Sequence, residues 1–399
     1  MRRTGPCGSA RLTASAIGRS RASVALLAAI GMGVCAQAAD APDNGELRAR
    51  PETLQLLGAE VPSGEMRRLT WSSGSAIEGF AVPTPVMVVN GKGAGPVLCL
   101  TAAVHGDELN GIEVVRRVVD ELDPEELNGA VIGVPIVNLQ GFYRGSRYLP
   151  DRRDLNRYFP GNARGSAATR TAYSFFTQVI ASCSALIDLH TGSLNRTNLP
   201  QVRADLRHAE VTRLTQAFGA TVVLHSVGER GSLRRAATEA GVPAVTFEMG
   251  EPMRVQQEQV DHGVKAVETL LYSLGMTRER RYWGDPEPVY YASRWVRVDH
   301  GGLLFSDVGL GERITEGELL GTVTDPISNA EYRVYAPVSG RVLGMALNQV
   351  VLPGFAAYRI GMETSKAEAA LEQGEPSSEV SGAMEGDDVL PEDEDAWRE

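Results

Sequence analysis

The chain reads as an α/β protein, a mixed central sheet flanked by helices, followed by a smaller all-β region. Three observations lead there. Between about residues 85 and 273, short β-branched runs alternate with helical stretches, the pattern of strands joined by crossover helices. From about residue 287 helical periodicity disappears and short β runs are separated by glycines, the texture of a compact all-β domain. At 399 residues the chain is long enough to bury one large core and one smaller one.

The first 38 residues read as a secretory leader. Arg2, Arg3, Arg11, Arg19 and Arg21 precede the apolar run ASVALLAAIGMGV, and Ala36 and Ala38 follow with signal-peptidase spacing. That run is too short to span a bilayer comfortably. A mature chain starting near Ala39, exported to a periplasm and free of the membrane, is expected. Residues 39–64 read as a linker.

PVMVV (85–89) is a strand ending in the turn Asn90–Gly91, and VLCLTAAV (97–104) is a buried strand. Residues 108–120 place Ile112, Val115 and Val119 at helical spacing. AVIGVPIVN (130–138) is β-branched and buried in character. A helix over 166–182, the strand ALIDLH (185–190), a helix over 208–218 and the strand TVVLH (221–225) follow. A helix over 232–240, the strand AVTFE (244–248) and a helix over 256–273 complete a domain spanning about residues 65–280.

In the β-rich domain, residues 285–364, EGELLGTV and APVSGRV resemble the barrel-sandwich modules of biotinyl and lipoyl carriers. No lysine lies between 266 and 365, so no carried cofactor is implied.

The net charge of -11 is concentrated at the ends. Residues 365–399 hold 12 acids and 2 bases and read as a solvated, disordered tail, while residues 1–39 carry five arginines and no acid. No basic face for nucleic acid is evident. Beyond the leader only Cys99 and Cys183 remain. They read as buried free thiols, with a single disulfide as the alternative.

The chemistry concentrates where strands end. In TAAVHGDELNGIEVV (101–115), His105 and Glu108 stand three apart between an apolar strand and a helix. Imidazole nitrogen and carboxylate oxygen are zinc donors, and a catalytic zinc needs three protein ligands and an open position. His190, closing ALIDLH, supplies a third from the end of a second strand, where open α/β sheets gather their ligands. His208, His225, His262 and His300 lack such settings and read as structural. The segment GSRYLPDRRDLNRYFPG (145–161) carries Arg147, Arg152, Arg153 and Arg157, whose guanidinium forks match carboxylates.

The ordered set HGDE (105–108), RDLNRYFPG (153–161), DLHTG (188–192) and FEMGE (247–251) resembles the succinylglutamate desuccinylase/aspartoacylase family, within the carboxypeptidase A-like zinc hydrolases. The resemblance spans roughly residues 65–275, and the β-rich domain matches as well. It implies one zinc ion per chain on His105, Glu108 and His190. It makes Asn156 and Arg157 binders of a substrate carboxylate, and gives Asp154 the task of orienting His105. Glu248 becomes the general base, with Glu251 its nearby competitor. An arginine shortly before DLNR would polarise the scissile carbonyl. Arg147 and Arg153 both qualify, with Arg147 preferred.

The implied activity is zinc-dependent hydrolysis of an amide bond in a small carboxylate-bearing substrate, by default an N-acyl amino acid. The alternatives are an exported carboxypeptidase-like murein peptide amidase and, in another class, a zinc-free carboxylate-binding protein. An adaptor working through the acidic tail is a further possibility. The oligomeric state is left open.

Overall fold

Hydrophobic alternation sorts the central strands into two faces, and each face is covered by its own helices. The structure is a computed structural model that describes residues 47–48, 52–73, 83–193, 195–278 and 287–365. The leader and the acidic tail, apart from its first residue, therefore lie outside the described residues.

A small hairpin, β1 (Leu54–Leu56) and β2 (Ala59–Val61), occupies part of the segment read as a linker. Leu54, Leu56 and Val61 are buried, and this burial gives the hairpin a place in the core. Strands β3 (Glu65–Trp71), β4 (Thr84–Asn90) and β5 (Gly93–Ala102) follow, then helix α1 (Asn110–Glu121), β6 (Asn128–Val134) and the short helix α2 (Leu139–Tyr143). Strand β6 stops before Pro135, which has no N–H to donate to a ladder.

Helix α3 (Ala167–Gln178) starts at Ser166, whose hydroxyl accepts from the Thr169 amide. Beyond it come β7 (Ala185–His190), β8 (Arg196–Ala204), α4 (Ala209–Thr215), β9 (Val222–His225), α5 (Leu233–Glu239), β10 (Ala244–Gly250) and α6 (Gln257–Ser273).

Strands β6, β5, β7 and β10 lie side by side and run parallel. Along β5, Leu98, Leu100 and Ala102 point to the face where Val114, Val115, Val118 and Val119 of α1 pack with Val260, Val267 and Leu270 of α6. Val97 and Cys99 point to the other face, against Ala172 and Phe175 of α3 and Leu233 and Ala237 of α5. Burying a side chain of this size contributes about 1.5–3 kcal/mol, so the two clusters account for the layered architecture.

The remaining strands are β11 (Val289–Tyr290), β12 (Ala292–Arg297), β13 (Gly302–Ser306), β14 (Arg313–Ile314), β15 (Leu319–Thr324), β16 (Glu331–Tyr335), β17 (Gly340–Ala346), β18 (Gln349–Val351) and β19 (Ala356–Met362). A four-stranded antiparallel sheet, β16-β15-β13-β18, encloses its own core around Leu304, Leu320, Val323 and Tyr358. The sequence suggests a boundary near residues 280–285, but the backbone carries the two regions together. Strand β17 pairs antiparallel with β8, and β8 with β10, so one 13-stranded sheet runs through both.

The sequence reading does not include β8. Its run RTNLPQVRA interrupts apolar residues with Pro200, Asn198, Gln201 and Arg203, whereas a buried strand normally shows a continuous apolar stretch. The polar residues stand on this strand because several of them line a cavity, described below.

Cys99 and Cys183 form a disulfide with Cα atoms 5.7 Å apart, the alternative to the free-thiol reading. It ties β5 to the segment that enters β7. The bridge closes 84 residues of chain, for which loop entropy gives about 4–5 kcal/mol of stabilisation. Denaturant unfolding with and without reductant should show a loss approaching that size. An unchanged midpoint would show that the bridge adds nothing to stability.

Candidate metal centre and substrate cavity

The parallel strands end along one edge of the sheet, and the chemistry-bearing residues emerge there. After β5 the backbone takes the left-handed region at Ala103 (φ 47°), an uncommon conformation for a non-glycine residue. It then enters a turn in which the Glu108 amide donates to the His105 carbonyl, 3.2 Å. Helix α1 begins only at Asn110, so Glu108 belongs to the turn and not to the helix that the sequence suggests. The three-residue spacing of His105 and Glu108 is the spacing of this turn, and it brings both side chains together. Gly106 is required because a Cβ there would lie 2.1 Å from the Gly141 carbonyl carbon.

His105 Nδ1 lies 2.8 Å from Glu108 Oε1, and His190 Nδ1, from the end of β7, lies 2.8 Å from Glu108 Oε2. One donor atom from each residue falls within 4.8 Å of the others, and all three residues are buried. The far nitrogens are held by carboxylates. His105 Nε2 lies 3.1 Å from Asp154 Oδ1, and His190 Nε2 lies 2.8 Å from Asp188 Oδ2. Asp188 is fully buried and also accepts from Thr101 Oγ1 at 2.7 Å. Two imidazoles presenting the same nitrogen, each with a carboxylate behind it, form the arrangement that orients histidine toward a metal. The residues therefore fit a metal ion. Asp188 takes the role toward His190 that the sequence reading gives Asp154 toward His105, and its place two residues before the histidine was the available signal.

The electrostatics agree. Burial and Arg147 oppose protonation of His105, yet Glu108 and Asp154 outweigh them and raise its pKa above the ordinary imidazole value. Burial also opposes protonation of His190, but Asp188 and Glu108 raise its pKa well above that value. Burial works against ionising Glu108, but the two imidazoles hold its carboxyl far below the usual range. A cation displacing those protons would take over the balance of charge.

The loop 145–161 closes one side. Arg147 donates from Nη2 to Asp154 Oδ2 at 2.9 Å and from Nη1 to Glu108 Oε1 at 3.3 Å, so its guanidinium lies against the ligand cluster. Arg153 points elsewhere: it pairs with Asp151 at 3.3 Å and does not line the cavity. The adjacent Asp154, turned inward to His105, directs its neighbour outward. Arg157 does line the cavity, as does Asn156, whose Oδ1 accepts from the Leu233 amide at 2.8 Å and fixes the loop to the start of α5.

Glu248 stands near the end of β10 (Ala244–Gly250), beside His190, its register partner on β7. It is 7% exposed and lines the cavity. Glu251 does not line it; its carboxylate pairs with Arg254 at 2.7 Å.

Among the cavity residues that the sequence reading omits are Asn198, Arg203, Arg234, Arg196 and Trp295. Asn198 donates to Glu248 Oε2 at 3.0 Å, and Arg203 Nη1 lies 3.2 Å from Glu248 Oε1. Arg234 is 5% exposed and donates to the Ser226 carbonyl at 2.7 Å. Among the described residues no carboxylate stands within ion-pair distance of it. Burial and the neighbouring Arg203 push its pKa down to about 10. The space between these residues, open solvent at the mouth included, is about 790 Å³.

His208, His225, His262 and His300 do not line the cavity. His262 packs edge-on to Phe247 and lies 3.2 Å from Thr221 Oγ1. Burial, helped by Lys265, lowers its pKa to about 4. The unfolded chain takes up a proton near pH 6.5 and the folded chain only near pH 4, so stability is full above 6.5 and falls between the two values. The fall should total about 3 kcal/mol. Unfolding free energies from pH 7 to 4 should flatten in His262→Gln relative to wild type. An equal acid slope in both proteins would reject this assignment.

Fold and site together define a mixed α/β protein with a buried His–Glu–His centre at the carboxyl ends of its parallel strands. Residues 94–274 match the succinylglutamate desuccinylase/aspartoacylase catalytic domain. The chain is 30% identical over 270 residues to the N-alpha-acetyl-L-2,4-diaminobutyric acid deacetylase of Halomonas elongata, covering 63% of this chain and 78% of that protein. It therefore belongs to the succinylglutamate desuccinylase/aspartoacylase family. A succinylglutamate desuccinylase structure from Silicibacter sp. TM1040 superposes with a TM-score of 0.67 at 25% identity, over 76% of this chain and 97% of that one. The product-bound ectoine utilization protein EutE (DoeB) from Ruegeria pomeroyi shares the fold, with a TM-score of 0.68 at 23% identity over 78% and 100% of the two chains. Family and relative together support an enzyme that hydrolyses acyl amide bonds.

Proposed function

We propose that this chain is a zinc-dependent deacylase that hydrolyses the amide bond of a small N-acyl amino acid. The observation that carries the reading is Arg234. A buried guanidinium with no carboxylate within ion-pair distance among the described residues, attracted only at longer range by Asp205, Glu248 and Asp188, is costly, and a substrate carboxylate would relieve that cost. Arg157, lining the same cavity, supplies a second donor. The relative's activity on an acetylated amino acid is consistent with a ligand of this kind.

His105, Glu108 and His190 would hold the ion, and their two nitrogens and one carboxylate suit zinc. When bound, zinc supplies Lewis acidity that polarises a carbonyl and lets water give up its proton near neutral pH. The chain's own residues do the rest. Arg147 lies where it can donate to the carbonyl oxygen as negative charge develops. Glu248 takes the proton of the attacking water and passes it to the departing nitrogen. Arg157, Arg234 and Asn156 fix the amino acid so that its amide faces the base.

The proposal extends to export. The Arg-rich leader pattern and the Cys99–Cys183 bridge both support an oxidising compartment outside the cytosol.

The test is metal analysis of the purified chain together with hydrolysis of N-acetyl and N-succinyl amino acids, their methyl esters and murein peptides. About one zinc per chain is expected, with turnover of free-carboxylate substrates about 100-fold or more above their esters, the scale of a lost charge-assisted contact. Turnover confined to murein peptides, or none by the zinc-loaded protein, would overturn the reading.

A further inference from the structure

Strand β8 joins the region carrying the metal centre to the C-terminal β region, and a single row of residues crosses that seam. Asn198 on β8 pairs with Gly250 on β10 and with Gly344 on β17. Gly344 pairs in turn with Arg359 on β19, and Arg359 with Trp295 on β12. The row begins two residues from Glu248 and ends at Trp295, which itself lines the cavity. The Arg359 guanidinium sits 5.4 Å from the centre of the Trp295 ring, so the far end of the row is held by contact.

Glu248 is gripped at both oxygens, by Arg203 on Oε1 and by Asn198 on Oε2. With one donor alone, the carboxylate could still turn about its last bond. Two donors on different oxygens fix its plane. Asn198 is 4% exposed, and its amide needs room to reach Glu248. That room exists because residue 344 is glycine. A Cβ there would stand 2.6 Å from Asn198 Oδ1, well inside van der Waals contact. The register of β17 also shifts between Val342 and Gly344, a bulge-like irregularity of the kind that re-aims side chains near functional sites.

We propose that Asn198 is a positioning residue for Glu248 and that Gly344, on the C-terminal β region, sets Asn198 in place. The β region thereby acts on the chemistry through the orientation of the base, in addition to forming a wall of the cavity. The inference rests on reading Glu248 as the general base.

The experiment compares kcat, KM, metal content and melting temperature in the zinc-loaded full chain for wild type, Asn198→Ala, Gly344→Ala and the double variant, with Glu248→Gln as control. Each single substitution should lower kcat about 10- to 100-fold, the scale of a misplaced catalytic group. KM and metal content should stay within about twofold of wild type. The double variant should be no slower than Asn198→Ala, because the added methyl then meets no amide; residues that act through one contact are non-additive in this way. If Gly344→Ala alone does not fold, the double variant should regain folded protein for the same reason.

Full kcat in Asn198→Ala beside an inactive Glu248→Gln would overturn this inference alone. Multiplying losses in the double variant would also overturn it, showing that Gly344 acts on something other than Asn198. Turnover retained in Glu248→Gln would remove the base assignment, and the inference with it.

Discussion

His105→Ala should yield a folded chain that holds no metal and turns over no substrate. The reasons are local. His105 gives one of the three clustered donor groups, and its other nitrogen is held by Asp154, so the variant loses both the donor and the contact that orients it. Glu108 would be left buried with one imidazole partner where it had two. Turnover should fall about 10³-fold or more, the equivalent of several kcal/mol of charge stabilisation at the reacting carbonyl. Elemental analysis after dialysis, run with circular dichroism, checks the result. Metal retained at one ion per chain in a folded variant would place the centre elsewhere.

Glu248→Gln separates the base from the metal. The amide keeps the shape of the carboxylate, and Glu248 is not one of the three clustered donors, so the metal should remain. Glutamine cannot accept the proton of water at neutral pH. Turnover should fall about 10²–10⁴-fold, the usual contribution of a positioned base. Arg203, which lies 3.2 Å from Glu248 Oε1, would lose a charged partner, and a modest fall in melting temperature is expected with it. The check is kcat with metal content on the same preparation. Near wild-type turnover would rule Glu248 out as the base.

The two variants also show which parts of the site could be read from the sequence. His105, Glu108 and His190 stand in local patterns, a turn and the last residue of an apolar strand, and local patterns survive in one dimension, whereas Asp154 and Glu248 are reached through the family resemblance. Arg147, preferred from the sequence, is the arginine whose guanidinium lies against the ligand cluster, whereas Arg153 pairs with Asp151. Asn198, Arg203 and Arg234 left no such mark. The first two sit on β8, whose polar residues hide it as a strand. Arg234 sits in the first turns of α5 and looks like any exposed helical arginine until its burial is known. The same difficulty affected the sheet. The parallel strands declare themselves by apolar runs, whereas the β8–β17 pairing that joins the two regions is long-range and depends on both partners.

The bridge between β5 and the segment before β7 carries a further consequence for how the chain matures. If residues 1–38 are removed as the export proposal requires, Cys99 and Cys183 are the only thiols left in this sequence. Two thiols admit one pairing, so there is no wrong partner to undo. Maturation of this protein should then need an oxidant but no disulfide isomerase. A host lacking isomerase activity should make it at full yield, while one lacking thiol oxidation should leave the two strands that carry the ligands unlinked.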